Sequence, residues 1–350
     1  MATRITLRVI AEKTGYHYST VSLALRNDAK IERETRAEIQ RVAEEMGYVP
    51  DPLVRALAIY RASSRPASYH ATLAWISNAE GSLRDPRYIF RGFGQGALHR
   101  ATQLGYKLEE FSLDASGVTL ANLPRILLSR GINGILVAPQ GLGRSPTEIR
   151  MDWSRFPAVA FGYSLKWPRL HLVANYHHHA VKVCLQKLVE RGHRRIGLIV
   201  NKWTNLRVDG NWMGGYFAGI DQPGLKPFVF PLSSRNHRIA LAKKEAPQLK
   251  AWLKKNRLDA LIIDYSPPLI DWLRSSCRLR IPEDISVVSL NVESDNSFAS
   301  GIDQNDHELG TAAVDFLVNL IHTNERGIPS IARRILIEGT WSEGQTIQPK

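Results

Sequence analysis

LRVIAEKTGYHYSTVSLAL, residues 7–25, is the stretch whose reading decides the fold of the amino-terminal part of the chain. Thr6 stands where a helix N-cap belongs, and Leu7, Ile10, Ala11 and Thr14 follow at helical spacing until Gly15 stops the run. A second periodic run, Tyr18, Val21, Ser22 and Leu25, begins three residues later. Two short helices joined so closely must cross steeply. The crossing needs a small residue in the first helix, a glycine free to take positive φ in the turn, and an apolar residue in the second. Ala11, Gly15 and Val21 occupy those places, which is the pattern of a helix-turn-helix.

A third helix is marked by ETRAEIQRVAEEMGY, residues 34–48, with Ile39, Val42, Ala43 and Met46 on one face and Gly47 at its end. It covers the apolar side of the first two. With Val21 and Leu25 turned inward, Tyr18, Ser19, Ser22 and Leu23 point away from the bundle. Hydroxyls that bond base edges or phosphates, beside an apolar group that touches thymine methyls, suit a helix laid in a major groove. The formal net charge of +13 and pI near 9.8 fit a polyanionic partner, and equally a solvated basic surface. Residues 1–65 hold 11 Lys and Arg against 8 Asp and Glu, so most of the excess lies further on. The nucleic-acid reading therefore rests on the motif.

The segment GYVPDPLVRALAIYRASSRPASY, residues 47–69, reads as a hinge. Asp51 can cap a short helix with Pro52 at its first position, and Leu53, Ala56 and Leu57 then fall along one side. Such a helix is too short to persist alone, and RASSRPAS after it is small, polar and basic, as a linker is. From Thr72 onward, TLAWIS, GILVAP, AVAFGY, RIGLIV, ALIID and ISVVSLN alternate with stretches that have room for a helix. That alternation predicts an α/β architecture of parallel sheets covered on both faces, and its length predicts two doubly wound lobes. Ligands of such folds bind at the C-terminal ends of the strands, in the cleft between lobes.

Two cysteines, Cys184 and Cys277, stand far apart, so neither a disulfide framework nor a zinc site is indicated. Charged residues interrupt the amino-terminal stretch, and no segment reaches the roughly 18 apolar residues of a membrane span. The expectation is a cytoplasmic protein without membrane association.

Taken together, TLRVIAEKTGYHYSTVSLALRN and ETRAEIQRVAEEMGYVPDPLVRAL resemble the DNA-binding headpiece and hinge of the lactose and galactose repressor family of bacterial transcription regulators. LVERGHRRIGLI, IPEDISVVSLN and HELGTAAVDFLVNLI resemble its core. The resemblance implies an all-α helix-turn-helix headpiece over 1–49, a hinge helix and linker over 50–68, and a two-lobed periplasmic-binding-protein-like core of doubly wound parallel sheets over 69–350. It places lobe one at about 69–162 and 292–323, and lobe two at about 163–291 and 324–345.

It further implies a homodimer on a near-palindromic double-stranded DNA operator, with Leu57 as the minor-groove wedge and a small-molecule effector in control. The expected DNA contacts are Thr6, Leu7, Tyr18, Ser19, Thr20, Ser22, Leu23, Asn27 and Leu57. Expected around the effector are Phe90, Gln140, Tyr163, Arg207, Asp209, Asp264 and Asn291, with Tyr265 beside them. Hydrogen-bonding groups beside aromatic faces suit a sugar.

Several positions depart from the family pattern. His17 replaces the serine that caps the recognition helix, Leu23 an arginine, Glu32 a serine cap, and Trp212 the arginine three residues before the GY pair. The run His177, His178, His179 invites a metal, but consecutive helical residues point about 100° apart and cannot converge on one ion. It reads instead as the polar first turn of a helix capped by Asn175. No GxSxG, P-loop, HExxH or GxGxxG stands in a strand-turn-helix setting, so no enzyme, cofactor or metal is expected. Two other classes fit the same lobes: a small-molecule carrier or sensor that reads no DNA, and a hydrolase or isomerase for which Asp209 and Asp264 are the nominated acid-base pair.

Overall fold

The computed structural model describes residues 5–25, 28, 30–48, 71–85, 88–115, 118–141, 147–232, 245–264, 268–292 and 298–348. The hinge over 50–68, with Leu57, and the residues Asn27 and Tyr265 lie outside them.

Three helices form the headpiece: α1 Leu7–Thr14, α2 Tyr18–Leu25 and α3 Arg33–Glu45. Gly15 ends α1 in the left-handed region at φ 73, and its N–H bonds Ala11 O at 2.9 Å. A side chain there would strain the turn, which is why the steep crossing falls on a glycine. Ile10, Val21, Ala24, Ile39 and Ala43 make the buried core, with Leu25 and Met46 half-buried around it. Ala24, three residues after Val21, takes the inward place expected of Leu25. Thr6 holds the N-cap position of α1 in extended backbone, but its side chain makes no cap bond. Gln40 Nε2 donates to Ala24 O at 3.0 Å and so ties α3 to the end of α2.

The rest of the chain forms two lobes. In order come β1 Ala71–Ser77, α4 Arg91–Gln103, β2 Tyr106–Ser112, α5 Leu123–Ser129, β3 Ile132–Val137, β4 Thr147–Glu148, β5 Ala158–Phe161, β6 Leu165–Trp167, β7 His171–Asn175 and α6 His177–Glu190. There follow β8 Ile196–Asn201, α7 Lys202–Arg207, α8 Asn211–Ile220, β9 Phe228–Leu232, α9 Glu245–Asn256, β10 Ala260–Ile263 and α10 Pro268–Ser275. Last are β11 Ser286–Val292, β12 Ser300–Asp303, α11 Asp306–His322, β13 Arg334–Ile337 and β14 Thr340–Ser342.

Lobe one is the sheet β13-β7-β5-β3-β1-β2, parallel throughout. Lobe two is β14-β12-β11-β10-β8-β9, parallel except for β14. Each sheet buries an apolar cluster on both faces, as continuous Ile, Val and Leu runs require. Helices α4 and α11 cross closely over lobe one, where a Cβ at Gly96 would overlap the His307 carbonyl oxygen.

The lobe boundaries differ from those expected. β7 belongs to lobe one although 163–175 was assigned to lobe two, β12 belongs to lobe two, and β13 returns to lobe one. Residues 334–337 therefore pair beside β7. The polar start of β7 hid it: His171 is buried, with its Nε2 2.7 Å from Glu325 and its Nδ1 accepting from Arg333 N at 2.9 Å. A satisfied histidine sits in a buried strand at little cost.

Three crossovers thus join the lobes, after 175, 303 and 337, and they are bonded to one another. Asn175 Nδ2 donates to Gln304 O at 2.7 Å, Tyr176 N to Ile337 O at 2.7 Å, and Asn305 Nδ2 to Glu338 O at 2.8 Å.

Candidate functional site

The first candidate surface is the outer side of α2. Tyr18 is 48% exposed and Ser19 is exposed, while Thr20, Ser22 and Leu23 are half-buried. Thr6 is exposed and Leu7 packs partly on the core. Val21 and Ala24 anchor the opposite side, so the helix cannot roll without exposing them. His17 takes the place of a capping serine: its Nδ1 accepts from Ser19 N at 3.3 Å and lies 2.8 Å from Ser19 Oγ. An imidazole acceptor can satisfy one of the unpaired N–H groups at a helix start, so the departure from serine keeps a cap. Glu32 at the start of α3 makes no side-chain cap bond.

The second is the cleft between lobes. Arg207, the last residue of α7 in lobe two, donates through Nη2 to Gln140 O at 2.6 Å and through Nη1 to Gly141 O at 3.4 Å, both in lobe one. The lobe-one partner is held firmly, because Gln140 N donates to Ser164 Oγ at 2.9 Å and Gly141 N to Asn78 Oδ1 at 2.8 Å. Burial lowers the Arg207 pKa from its ordinary value. Gln140 is 1% exposed; its Nε2 donates to Ala138 O at 2.7 Å and its Oε1 meets no partner among the described residues.

Tyr163 lies under the Arg334 guanidinium, 5.6 Å from ring centre to Cζ, and burial raises its hydroxyl pKa. Asp209 is exposed in the turn between α7 and α8, at φ 57. Asp264, at the end of β10, is buried and accepts from Asn201 N at 2.8 Å; desolvation pushes its carboxyl up to about 6 against that bond. Asn291 is exposed on β11, where its N–H donates to Ser289 Oγ at 3.2 Å.

Phe90 departs from expectation. It is buried in the lobe-one core, edge-on to Tyr88 at 5.8 Å and stacked on Phe93 at 6.2 Å, so its ring packs within lobe one. The histidine run also differs: Tyr176, not Asn175, precedes α6 as N-cap, because the Asn175 side chain is used at the crossover.

The residue missed from sequence is His177. It sits one position past the first crossover, with its ring edge-on to Trp212 at 5.5 Å and 6.3 Å from Tyr163. Its signal was available only if the crossover was placed at 175. Among the described residues no group of three or more His, Cys, Asp or Glu could hold a metal ion, and no helix is long and apolar enough to cross a membrane.

Comparison with known proteins agrees in both parts. Residues 6–51 match the bacterial regulatory proteins of the lacI family, and residues 185–347 match the periplasmic binding protein-like domain. The HTH-type transcriptional regulator IpsA of Corynebacterium glutamicum is 25% identical over 206 residues, 59% of this chain and 55% of that one. The lactose operon repressor of Escherichia coli is 21% identical over 203 residues, 58% of this chain and 52% of that one. The chain thus spans about half the length of these two relatives. Among solved structures, a lac repressor dimer bound to operator and the anti-inducer ONPF is 18% identical, with 98% of this chain and 99% of that one covered at a TM-score of 0.55. A CelR–cellobiose complex is 18% identical, with coverage of 98% and 100% at a TM-score of 0.53. At these identities the likeness is one of fold.

Proposed function

The chain belongs to the lacI family of bacterial regulatory proteins, joined here to a periplasmic-binding-protein-like core, and from that premise we propose that it is a transcriptional regulator whose grip on DNA is set by a small molecule in the cleft. The observation that carries the reading is the outer side of α2, exposed at Tyr18 and Ser19 and locked in orientation by fully buried Val21 and Ala24. Contacts to base edges run through Tyr18, Ser19, Thr20, Ser22 and Leu23, with Thr6, Leu7 and Asn27 at the flanks. Leu57 serves as the wedge between base steps.

Two copies act as a homodimer on a near-palindromic operator in the cytoplasm. The cleft supports the second half of the proposal, because Arg207 already joins the lobes through main-chain oxygens and a ligand entering there shifts their relative populations. A sugar is the expected effector, supported by the cellobiose held by the structurally similar CelR, and repression of carbohydrate genes is the expected output.

Genome-wide recovery of bound fragments, followed by fluorescence anisotropy on the recovered site, tests this directly. Two-fold-symmetric sites are expected, with an affinity that falls steeply as salt rises because several phosphates are neutralised. Leu57→Ala is expected to weaken that affinity. A lone monomer that recovers no symmetric site refutes the proposal.

A further inference from the structure

We infer that the free edge of lobe one, strand β13, is an interface between copies of this chain, formed when β13 pairs antiparallel with the same strand of a second copy about a two-fold axis at Leu336. The pairing stands on the edge itself; that the units it joins are operator-binding dimers rests on the regulatory reading above.

The argument begins with the four strands that end the two sheets, β13 and β2 in lobe one and β14 and β9 in lobe two. An edge strand offers unpaired N–H and C=O groups to any other strand, and proteins blunt such edges with charge, proline or brevity. Three of the four are blunted. β2 carries Lys107, Glu109 and Glu110, β9 holds Pro231, and β14 is three residues long. β13 carries one charge, and its register with β7 runs from Arg334 to Ile337 without a bulge.

The exposed groups of this edge are laid out for pairing. Leu172 N and Tyr176 N donate to Arg333 O and Ile337 O at 3.0 and 2.7 Å, so the odd-numbered residues bond β7 and the N–H and C=O of Leu336 point out of the sheet. Ile335 and Ile337 pack on the lobe-one core, whereas Arg334, Leu336 and Glu338 alternate with them and are exposed. Leu336 is 40% exposed and Ile331, just before the strand, is 80% exposed.

The order of residues says which partner fits. Arg334 stands two places before Leu336 and Glu338 two places after it. In an antiparallel pair centred on Leu336, the N–H and C=O of that residue meet the same groups of the second copy and the two leucines lie side by side. Each Arg334 then stands opposite the Glu338 of the other copy. Both charges are available for this. Arg334 rests over the Tyr163 ring at 5.6 Å, and neither it nor Glu338 has an ion-pair partner among the described residues, whereas the neighbouring Arg333 is taken by Glu325.

Topology then separates this contact from the homodimer on one operator. All six strands of lobe one run parallel, so the two-fold axis turns the second sheet end for end. β1, the first strand after the hinge segment, starts at opposite ends in the two copies, and their headpieces are led apart instead of toward adjoining half-sites. The edge therefore joins two dimers into an assembly of four chains.

Sedimentation velocity of the full-length protein at micromolar concentration, with operator anisotropy alongside, tests the pairing. The native chain is expected to sediment as four chains and Leu336→Lys as two. The melting temperature of that variant should hold, because the side chain is exposed and the new cation faces only its own copy. Arg334→Glu or Glu338→Arg alone sets like charges opposite each other at both ends of the pair and is expected to weaken assembly about tenfold or more. The double exchange Arg334→Glu with Glu338→Arg is expected to restore it to within about threefold. Hydrogen exchange at the Leu336 amide should slow as the native chain assembles.

A native chain no larger than Leu336→Lys overturns the inference. So do single exchanges that weaken nothing, or whose effect the double exchange fails to reverse. Operator binding separates the two levels: Leu336→Lys is expected to bind a single operator as the native chain does. If the native chain is instead a dimer that Leu336→Lys turns into a monomer, and neither binds a symmetric site, the edge pairing holds and the regulatory reading fails.

Discussion

The two faces proposed to meet other molecules are built on opposite plans. Helix α2 carries its contact groups on the outside of a small core in which Ile10, Val21, Ala24, Ile39 and Ala43 are almost wholly buried. The cleft holds its polar groups inside, where Gln140 Oε1, His177 Nδ1 and Trp212 Nε1 are buried without partners among the described residues. The first face is exposed at Tyr18 and Ser19 and is made by one helix. The second exists only because segments distant in sequence end at the same place. The lesson is that a binding face can be rigid by having little behind it that is polar, or responsive by having unmet polar groups within it.

The sharpest way to break this comparison is to empty the headpiece core. Ile39→Ala removes a fully buried side chain from a cluster of five and is expected to cost roughly 2–5 kcal/mol. A three-helix unit this small has only a few kcal/mol of stability, so operator binding should be lost at 37 °C. The core should melt at an unchanged temperature. A matching fall in the melting of the core would mean that the two regions fold as one, and the contrast would lose its basis.

Next in size is Asp264. Its carboxyl, ordinarily near 3.8, is raised by burial to about 6, so the folded state binds the proton more tightly than the unfolded one. Stability from this group is therefore fully present below about 4 and falls as pH rises to about 6, where the loss amounts to roughly 3 kcal/mol. Asp264→Asn keeps an acceptor for Asn201 N and removes the buried charge. The variant is expected to melt higher at pH 7.5, and its stability between pH 4 and 6 should be the flatter of the two. Unchanged stability at both pH values would show that the carboxylate is compensated within the cleft.

A smaller effect is expected at Arg207. Hydrogen bonds from a charged donor contribute about 1.5–3 kcal/mol, but burying the cation between main-chain oxygens offsets much of that. A net of about 1 kcal/mol is expected to open the lobes roughly fivefold more often in Arg207→Ala. Hydrogen exchange reads this at the amides of Gln140 and Gly141, which bond Ser164 and Asn78. Operator affinity should be kept without ligand and its response to ligand lost.

The same contrast explains what could be read from sequence. The headpiece and the central strands were legible because their signals are local: Ala11, Gly15 and Val21 at fixed spacing, and unbroken apolar runs such as Ala260–Ile263. The edge strands β2 and β13 escaped because charged residues interrupt them, and β9, the short apolar run Phe228–Leu232 with Pro231 inside it, was passed over. Leu336 and Arg334 of β13 are exposed, and Glu109 and Lys107 of β2 are polar. Missing β7 and β13 misplaced the lobe boundaries, and with them the crossover at 175 that brings His177 into the cleft. The burial of Phe90 was illegible for the converse reason. A loop position was read correctly, but ring packing against Tyr88 and Phe93 is decided by the tertiary fold.

The smallest effect lies at the start of α2 and separates cap from contact. His17 stands at the N-cap, and its Nδ1 accepts from Ser19 N at 3.3 Å, long for such a bond, while Ser19 Oγ lies 2.8 Å from the same nitrogen. His17→Ala should lower headpiece stability by about 0.5–1 kcal/mol, read as a fall in its melting temperature. His17→Ser should recover the loss, because a shorter hydroxyl reaches the same N–H groups. The two variants differ in what they do to Ser19, whose hydroxyl is drawn toward the imidazole in the native chain. Without the ring that hydroxyl is released to the exposed side of α2, so operator affinity, corrected for the folded fraction, should be kept or raised in both. A fall in corrected affinity in His17→Ser alongside full stability would assign the imidazole itself to the DNA face, and the outer side of α2 would then begin one residue before the helix does.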